Sequence, residues 1–242
     1  MIDKIRLIAL DLDGTLTQHK SKLDHENKAV LQELGKRYKL LMVGAGQCMR
    51  IFNQMNQFPI DIIGNYGLQY GEYNEKTKSL DIIENITLPI DKVVIQTRIA
   101  DLRKSLGLTE FVGDSVEYHP SGCFTFPILG TKASLEEKLA YDPTREKRRR
   151  IYNEVTSAFD DYMVFIGGTS SFDMTPKPYN KYYALSKYCI ENKYSHSELI
   201  YIGDDYGLGG NDESVYQSDI EFICVDDYKE LYQKVKHLYE VE

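Results

Sequence analysis

The run from Ile5 to Leu10 is apolar except for Arg6 and stops abruptly at Asp11-Leu12-Asp13-Gly14-Thr15. A strand covered on both faces is apolar nearly throughout, so this run predicts a buried parallel strand. Residues 24–38 place Val30, Leu31 and Leu34 at helical spacing, with Asp24 as N-cap. Residues 39–43 predict a second strand, Gly44-Ala45-Gly46 a tight turn, residues 47–56 a helix and residues 60–63 a third strand. This β-α-β-α-β opening argues for an α/β fold built on a doubly wound parallel sheet.

The period then changes. Residues 67–72 and 79–84 flank Asn74-Glu75-Lys76-Thr77 as a hairpin would. Residues 90–106 are helical by period, 115–119 and 123–129 are short strands, 135–159 are largely helical with a break near Pro143, and 162–166 and 171–174 are short strands. After Pro176-Lys177-Pro178 the alternation returns: a helix over 179–191, strands over 198–202 and 221–225, and a helix over 228–238. The expected organisation is a discontinuous core, residues 1–87 plus 177–242, interrupted by an α+β cap over residues 88–176.

Composition narrows the classes. With 29 basic and 37 acidic residues in 242, the formal net charge is −8, which points away from a nucleic-acid partner. The basic run Arg145-Glu146-Lys147-Arg148-Arg149-Arg150 is expected to be a solvated helix face. The four cysteines are scattered with no C-x-x-C spacing, so free thiols and a cytoplasmic location are expected. No stretch approaches the ~20 apolar residues that span a bilayer, and no membrane partner is expected.

Residues i and i+2 of an extended chain point the same way, so Asp11 and Asp13 aim at one small volume. Two carboxylates that close call for a cation or a shared proton. Four polar clusters fall at predicted strand ends or helix starts of the core: Asp11/Asp13, the turn Gly44-Ala45-Gly46, Lys181, and Asp204/Asp205 with Asn211-Asp212. In open α/β sheets such ends converge on one crevice. Carboxylates, one lysine and a glycine turn suit Mg²⁺-assisted phosphoryl transfer, in which a carboxylate attacks to give an aspartyl-phosphate.

Asp11-Leu12-Asp13-Gly14-Thr15 resembles the first motif of the haloacid dehalogenase (HAD) superfamily. The insert resembles a type-IIB cap. Gly167-Gly168-Thr169-Ser170-Ser171-Phe172-Asp173 and Gly209-Gly210-Asn211-Asp212, with the turn at Gly44, resemble the eukaryotic-type phosphomannomutase family over nearly the whole chain. The resemblance implies a HAD-like core and assigns roles. Asp11 would be nucleophile and metal ligand. Asp13 would be general acid/base, with its carbonyl on the metal. Lys181 would bind phosphate, and Asp204, Asn211 and Asp212 would complete the Mg²⁺ site. Ser171 and Asp173 of the cap would contact the sugar.

Two departures from the family's pattern bear on activity. The second motif of the superfamily has a serine or threonine beside the phosphate, where this chain has Gly44-Ala45-Gly46. Backbone amides are then expected to hold the phosphate, with the loss of one charge-assisted hydrogen bond, about 1.5–3 kcal/mol. The family's cap arginines are also replaced, by His119-Pro120-Ser121-Gly122, by Leu129-Gly130-Thr131 and by Lys138, which supplies charge but no bidentate fork. The leading expectation is therefore a Mg²⁺-dependent phosphatase acting on a small phosphorylated metabolite, a sugar phosphate. Phosphohexomutase activity is one alternative; a catalytically weak sugar-phosphate-binding protein is another. A monomer or a cap-mediated homodimer is expected, with hinges near Thr87-Leu88 and Pro176-Lys177-Pro178.

Overall fold

The structure is a computed structural model, and it describes residues 4–19 and 21–240. In chain order the strands and helices are β1 (Leu7–Leu10), α1 (His25–Leu34), β2 (Lys39–Val43), α2 (Cys48–Gln54), β3 (Asp61–Gly64), β4 (Gln69–Asn74), β5 (Ser79–Asn85), α3 (Lys92–Ser105), β6 (Glu117–Tyr118), β7 (Phe124–Pro127), α4 (Leu135–Tyr141), α5 (Glu146–Arg150), α6 (Tyr152–Ala158), β8 (Tyr162–Phe165), β9 (Ser171–Pro176), α7 (Lys181–Asn192), β10 (Leu199–Gly203), α8 (Glu213–Tyr216), β11 (Glu221–Cys224) and α9 (Leu231–Val235). Two compact units result: Met1–Ile86 with Lys181–Gly207 and Asp212–Glu242, and Thr87–Asn180 with Leu208–Asn211.

The first unit holds a seven-stranded sheet in the order β11-β10-β1-β2-β3-β4-β5. The strands from β11 to β3 run parallel, and the hairpin β4–β5 extends the sheet antiparallel. All four residues of β1 are buried, because both faces are covered. Ile8, Leu10, Met42, Ile62 and Ile202 pack on one face with α1, α2 and α9. Leu7, Ala9, Leu41, Val43 and Tyr201 pack on the other with Ala184, Leu185 and Tyr188 of α7. This is a mixed α/β fold with a parallel-rich sheet wound on both sides. Asp24 caps α1 by accepting from the Asn27 N–H at 2.8 Å.

Chain order turns back at β1, which has β2 on one side and β10 on the other, in the register Leu10↔Met42 and Leu10↔Ile202. Residues just beyond Leu10, Val43 and Gly203 therefore leave one sheet edge side by side, at the switch point where doubly wound sheets bind ligands.

The second unit has an antiparallel sheet, β6-β7-β9-β8. Phe124, Phe126, Phe172 and Met174 line its buried face against Ile95, Ile99 and Leu102 of α3 and Val155 of α6. Thr125, Ser171 and Asp173 alternate with these and are half-buried. Residues 177–180 and 208–211, assigned to the core from sequence, group with this unit. Gly209 accounts for the second segment: its carbonyl accepts from the Ile166 N–H at 2.7 Å.

Two expectations about helices need correction. The stretch 228–238 is not one helix but a five-residue α-turn flanked by 3₁₀ turns. The basic run is not wholly solvated: Arg148 is 1% exposed, with its Nε donating to Asp142 Oδ2 at 2.9 Å. Its Nη1 donates to the carbonyls of Gly167, Gly168 and Ser171 at 2.7, 3.1 and 3.2 Å. A guanidinium has enough donors for a buried loop of carbonyls, which composition alone does not signal.

Candidate active site

Asp11 follows β1, and its N–H donates to Ile202 O at 2.9 Å, continuing the ladder with β10. Asp11 is 4% exposed, and its carboxylate accepts from Lys181 Nζ at 2.5 Å. Lys181, the first residue of α7, is fully buried and donates also to Asp212 Oδ1 at 2.7 Å. Asp212 precedes α8 and is equally buried. Tyr201 Oη donates to Asp212 Oδ1 at 2.5 Å, and the amides of Asp204 and Asp205 donate to Oδ2 at 3.2 and 3.0 Å. The lysine that sequence placed at a helix start thus bridges two aspartates that are about 200 residues apart in the chain.

Asp204 lies one residue beyond β10. Thr15 Oγ1 donates to its Oδ1 at 2.8 Å. Gly14, with φ +104°, makes room for it: a Cβ on Gly14 would lie 2.6 Å from Asp204 Cγ. Position 14 therefore admits only glycine, for conformation and for space together.

Acidic oxygens of Asp11, Asp204 and Asp212 lie within 4.8 Å of one another. Burial, and then Asp212, push the Asp204 carboxyl up to about 6. Burial likewise raises Asp11 well above its ordinary value, against the attraction of Lys181. Lys181 goes up as well, because the two aspartates outweigh its burial. Three carboxylates facing one ammonium leave negative charge in excess, and a divalent cation with oxygen preference would relieve it. The residues present fit Mg²⁺. Asp11 and Asp204 are the better placed to hold it, since both oxygens of Asp212 already accept from Lys181, Tyr201 and two amides.

Two further residues are expected at the metal, Asp13 through its backbone carbonyl and Asn211. The carboxylate of Asp13 does not join the three. It accepts from Gln54 Nε2 at 2.6 Å and lies 3.6 Å from Arg50 Nη2. Asn211 groups with the second unit. In the turn, Gly44 N–H donates to Ile63 O at 2.9 Å, and the next helix amide, Cys48 N–H, donates to Gln69 Oε1 at 2.8 Å. The Gly44 amide is thus spent within the fold rather than offered to a phosphate. Ala45 and Gly46 are half-buried beside them.

In the second unit Ser171 and Asp173 share the polar face of β9. Ser171 Oγ donates to Gly167 O at 3.0 Å. Asp173 Oδ1 accepts from Thr125 Oγ1 at 2.8 Å, and Thr125 Oγ1 lies 2.9 Å from His119 Nε2. The single hydroxyl proton of Thr125 goes to the carboxylate, so His119 is the donor in the second contact. Burial raises the Asp173 carboxyl, with the Thr125 hydroxyl working against it. Lys138, on α4, donates to Thr131 O at 3.1 Å and has no part in this relay.

Sequence reasoning did not single out Tyr201, Arg50, Gln54, Thr125 or Arg148. Arg50 and Gln54 carried a signal, an i, i+4 polar pair on the helix after the glycine turn, whose hydrogen bond spans 3.0 Å. Tyr201 carried none, because it reads as an apolar strand residue.

Comparison with known proteins agrees with this geometry. A family model described as eukaryotic phosphomannomutase matches residues 27–240. A phosphomannomutase of Encephalitozoon cuniculi is 26% identical over 255 residues, covering 96% of this chain and 93% of its own. One from Drosophila melanogaster is 27% identical over 221 residues, covering 87% and 85%. Among solved structures, N-terminally truncated, IMP-bound IMP-nucleotidase of Plasmodium falciparum aligns with a TM-score of 0.68 at 15% identity, over 97% of this chain and 68% of that one. A HAD-superfamily phosphatase of Bacteroides thetaiotaomicron aligns with a TM-score of 0.59 at 16% identity, over 97% and 95%. At these identities the structures establish the fold. Among the described residues no helix is long and apolar enough to cross a membrane.

Proposed function

Since this chain belongs to the eukaryotic phosphomannomutase family, we propose that it is a phosphohexomutase, moving a phosphoryl group between positions of a hexose phosphate through Asp11. The observation that carries the phosphoryl-transfer reading is the buried set Asp11–Lys181–Asp212 with Asp204 beside it. Asp11 attacks phosphorus, the bond from phosphorus to the sugar oxygen breaks, and Asp13 delivers a proton to that oxygen. A free hydroxyl of a hexose monophosphate then attacks the aspartyl-phosphate, gives its proton to Asp13 and frees Asp11; the hexose bisphosphate so formed gives its other phosphoryl group back to Asp11, which leaves the isomeric monophosphate. Lys181 holds charge on the transferring group. Mg²⁺, held by Asp11 and Asp204, would offset the charge of the phosphoryl oxygens. Ser171 and Asp173 would recognise sugar hydroxyls.

This ranking reverses the expectation from sequence, which put hydrolysis first; the family match supports the mutase more. Hydrolysis, with water taking the phosphoryl group in the second step, remains a second reading because of one observation. Thr131 and Lys138 stand where the family has cap arginines, and the Lys138 ammonium is bound to the Thr131 carbonyl. A coupled assay interconverting mannose 6-phosphate and mannose 1-phosphate, run beside phosphate release, tests both readings. Interconversion without phosphate loss supports the mutase; phosphate loss alone supports the phosphatase. Equal rates for wild type and Asp11→Asn would sink the shared mechanism.

A further inference from the structure

We propose that the guanidinium of Arg50 is a phosphate-binding group of this site, acting in place of the second-motif hydroxyl that the chain lacks. The inference rests on the reading of the site as one for phosphate monoesters.

Gly44-Ala45-Gly46 leaves the sheet next to Asp11-Leu12-Asp13, because β1 and β2 pair in parallel with Leu10 opposite Met42. The amides of Gly44 and Cys48 are taken by Ile63 O and Gln69 Oε1. The α2 helix is only seven residues long. The turn therefore offers a phosphate no hydroxyl, and one of its amides is already spent. Arg50 changes that. Its guanidinium lies directly over Gly46: a Cβ there would collide with Nη2 and Nε and sit 2.6 Å from Cζ. Gly46 is not among the positive-φ glycines. Its backbone would accept a serine, whose side chain would have to push the end of Arg50 aside. Glycine at 46 and arginine at 50 are thus complementary, with the cation filling the volume a side chain on the turn would use.

The arginine is aimed rather than loose. Nη1 donates to Gln54 Oε1 at 3.0 Å, and the buried Gln54 amide donates to Asp13 Oδ1 at 2.6 Å and to Thr17 Oγ1 at 3.1 Å. Nη2 stands 3.6 Å from Asp13 Oδ2, too long for a hydrogen bond. The side chain is 48% exposed. As a surface ion pair this contact is weak, about 0–1 kcal/mol. As a planar fork it matches two oxygens of a phosphate monoester, and it carries full charge where a hydroxyl would give one neutral donor. Engaging phosphate would also draw Arg50 off Asp13, leaving that carboxylate to its proton transfer.

Titration calorimetry with inorganic phosphate in the presence of Mg²⁺ tests the assignment on the full chain. Arg50→Ala is expected to weaken phosphate binding about ten- to hundred-fold, with an unchanged thermal midpoint, and Arg50→Lys to fall between. Gly46→Ser in the wild-type background should weaken binding by displacing the guanidinium. In the Arg50→Ala background the same Gly46→Ser change should restore part of the loss by supplying a hydroxyl. A phosphate affinity for Arg50→Ala within about twofold of wild type, a Gly46→Ser effect of the same sign in both backgrounds, or no phosphate binding by the wild type at millimolar phosphate each overturns the proposal. Phosphate binding that depends on Arg50 in a protein that turns over no sugar phosphate would uphold it while removing the proposed function. Turnover that ignores Arg50→Ala would do the reverse.

Discussion

Lys181 donates to Asp212 Oδ1 across 2.7 Å, and neither side chain presents any surface to solvent. A buried ion pair is costly to form and more costly to break, because the remaining charge stays desolvated. Here the aspartate also takes a tyrosine hydroxyl and two amides, so it organises the lysine, the end of β10 and the start of α8 at once.

Replacing Asp212 by alanine should therefore cost about 3–5 kcal/mol of unfolding free energy in urea and should lower phosphoryl transfer by releasing Lys181. The paired change Asp212→Leu with Lys181→Met should recover much of the stability and none of the activity. A loss for Asp212→Ala as small as the ~0–1 kcal/mol of a surface pair would show that water reaches the cluster.

Gly14→Ala should act on the metal. A positive φ costs a side chain about 1–3 kcal/mol, and the added Cβ would press on the Asp204 carboxylate. Disturbing the support of a metal ligand lowers affinity about 10–100-fold. Calorimetry with Mg²⁺ measures this directly, and an unchanged dissociation constant would remove Asp204 from the metal site.

Arg148→Met should strip the Gly167–Ser171 carbonyls of their anchor and leave Asp142 buried without its partner. The expected stability loss is about 3–5 kcal/mol, with KM for sugar phosphate rising more than kcat falls. Adding Asp142→Leu should cost less than the sum of the two single changes. Strict additivity would mean that the pair does not interact.

The same pair sets an acid limit. Burial of Asp142 favours the neutral acid, but the Arg148 side chain and the amides of Lys147 and Arg148 outweigh it and hold the carboxyl below its ordinary value. The stability this provides is complete above the unfolded value, about 3.9, and is lost as pH falls through the lower folded value. Urea unfolding below pH ~4 should show a steeper decline for wild type than for Asp142→Asn. Parallel pH curves would contradict it.

Local pattern carried much of the architecture. The apolar stretch before Asp11, the helical spacing of Val30, Leu31 and Leu34, and the return of alternation after Pro178 are one-dimensional records of which faces are covered, so strands, helices and the parallel sheet could be read from them. The residues that follow Leu10 and Gly203 could be placed together by the same logic, because parallel strands share their carboxyl edge. The Tyr228 segment could not, since a five-residue turn and a longer amphipathic helix have the same local pattern.

By itself the sequence determined the covalent chemistry available: an aspartate pair at a strand end, a distant lysine, acidic residues after another strand, and a glycine turn without a hydroxyl. Only the tertiary structure decided how these side chains are spent. Asp212 anchors Lys181 and Tyr201, Asp13 turns to Gln54, the Gly44 amide goes to Ile63 and the Cys48 amide to Gln69, and Arg50 fills the space above Gly46. The physical reason is that hydrogen-bond partners and free volume are set by atoms from several elements packed together. No window along the chain contains them all.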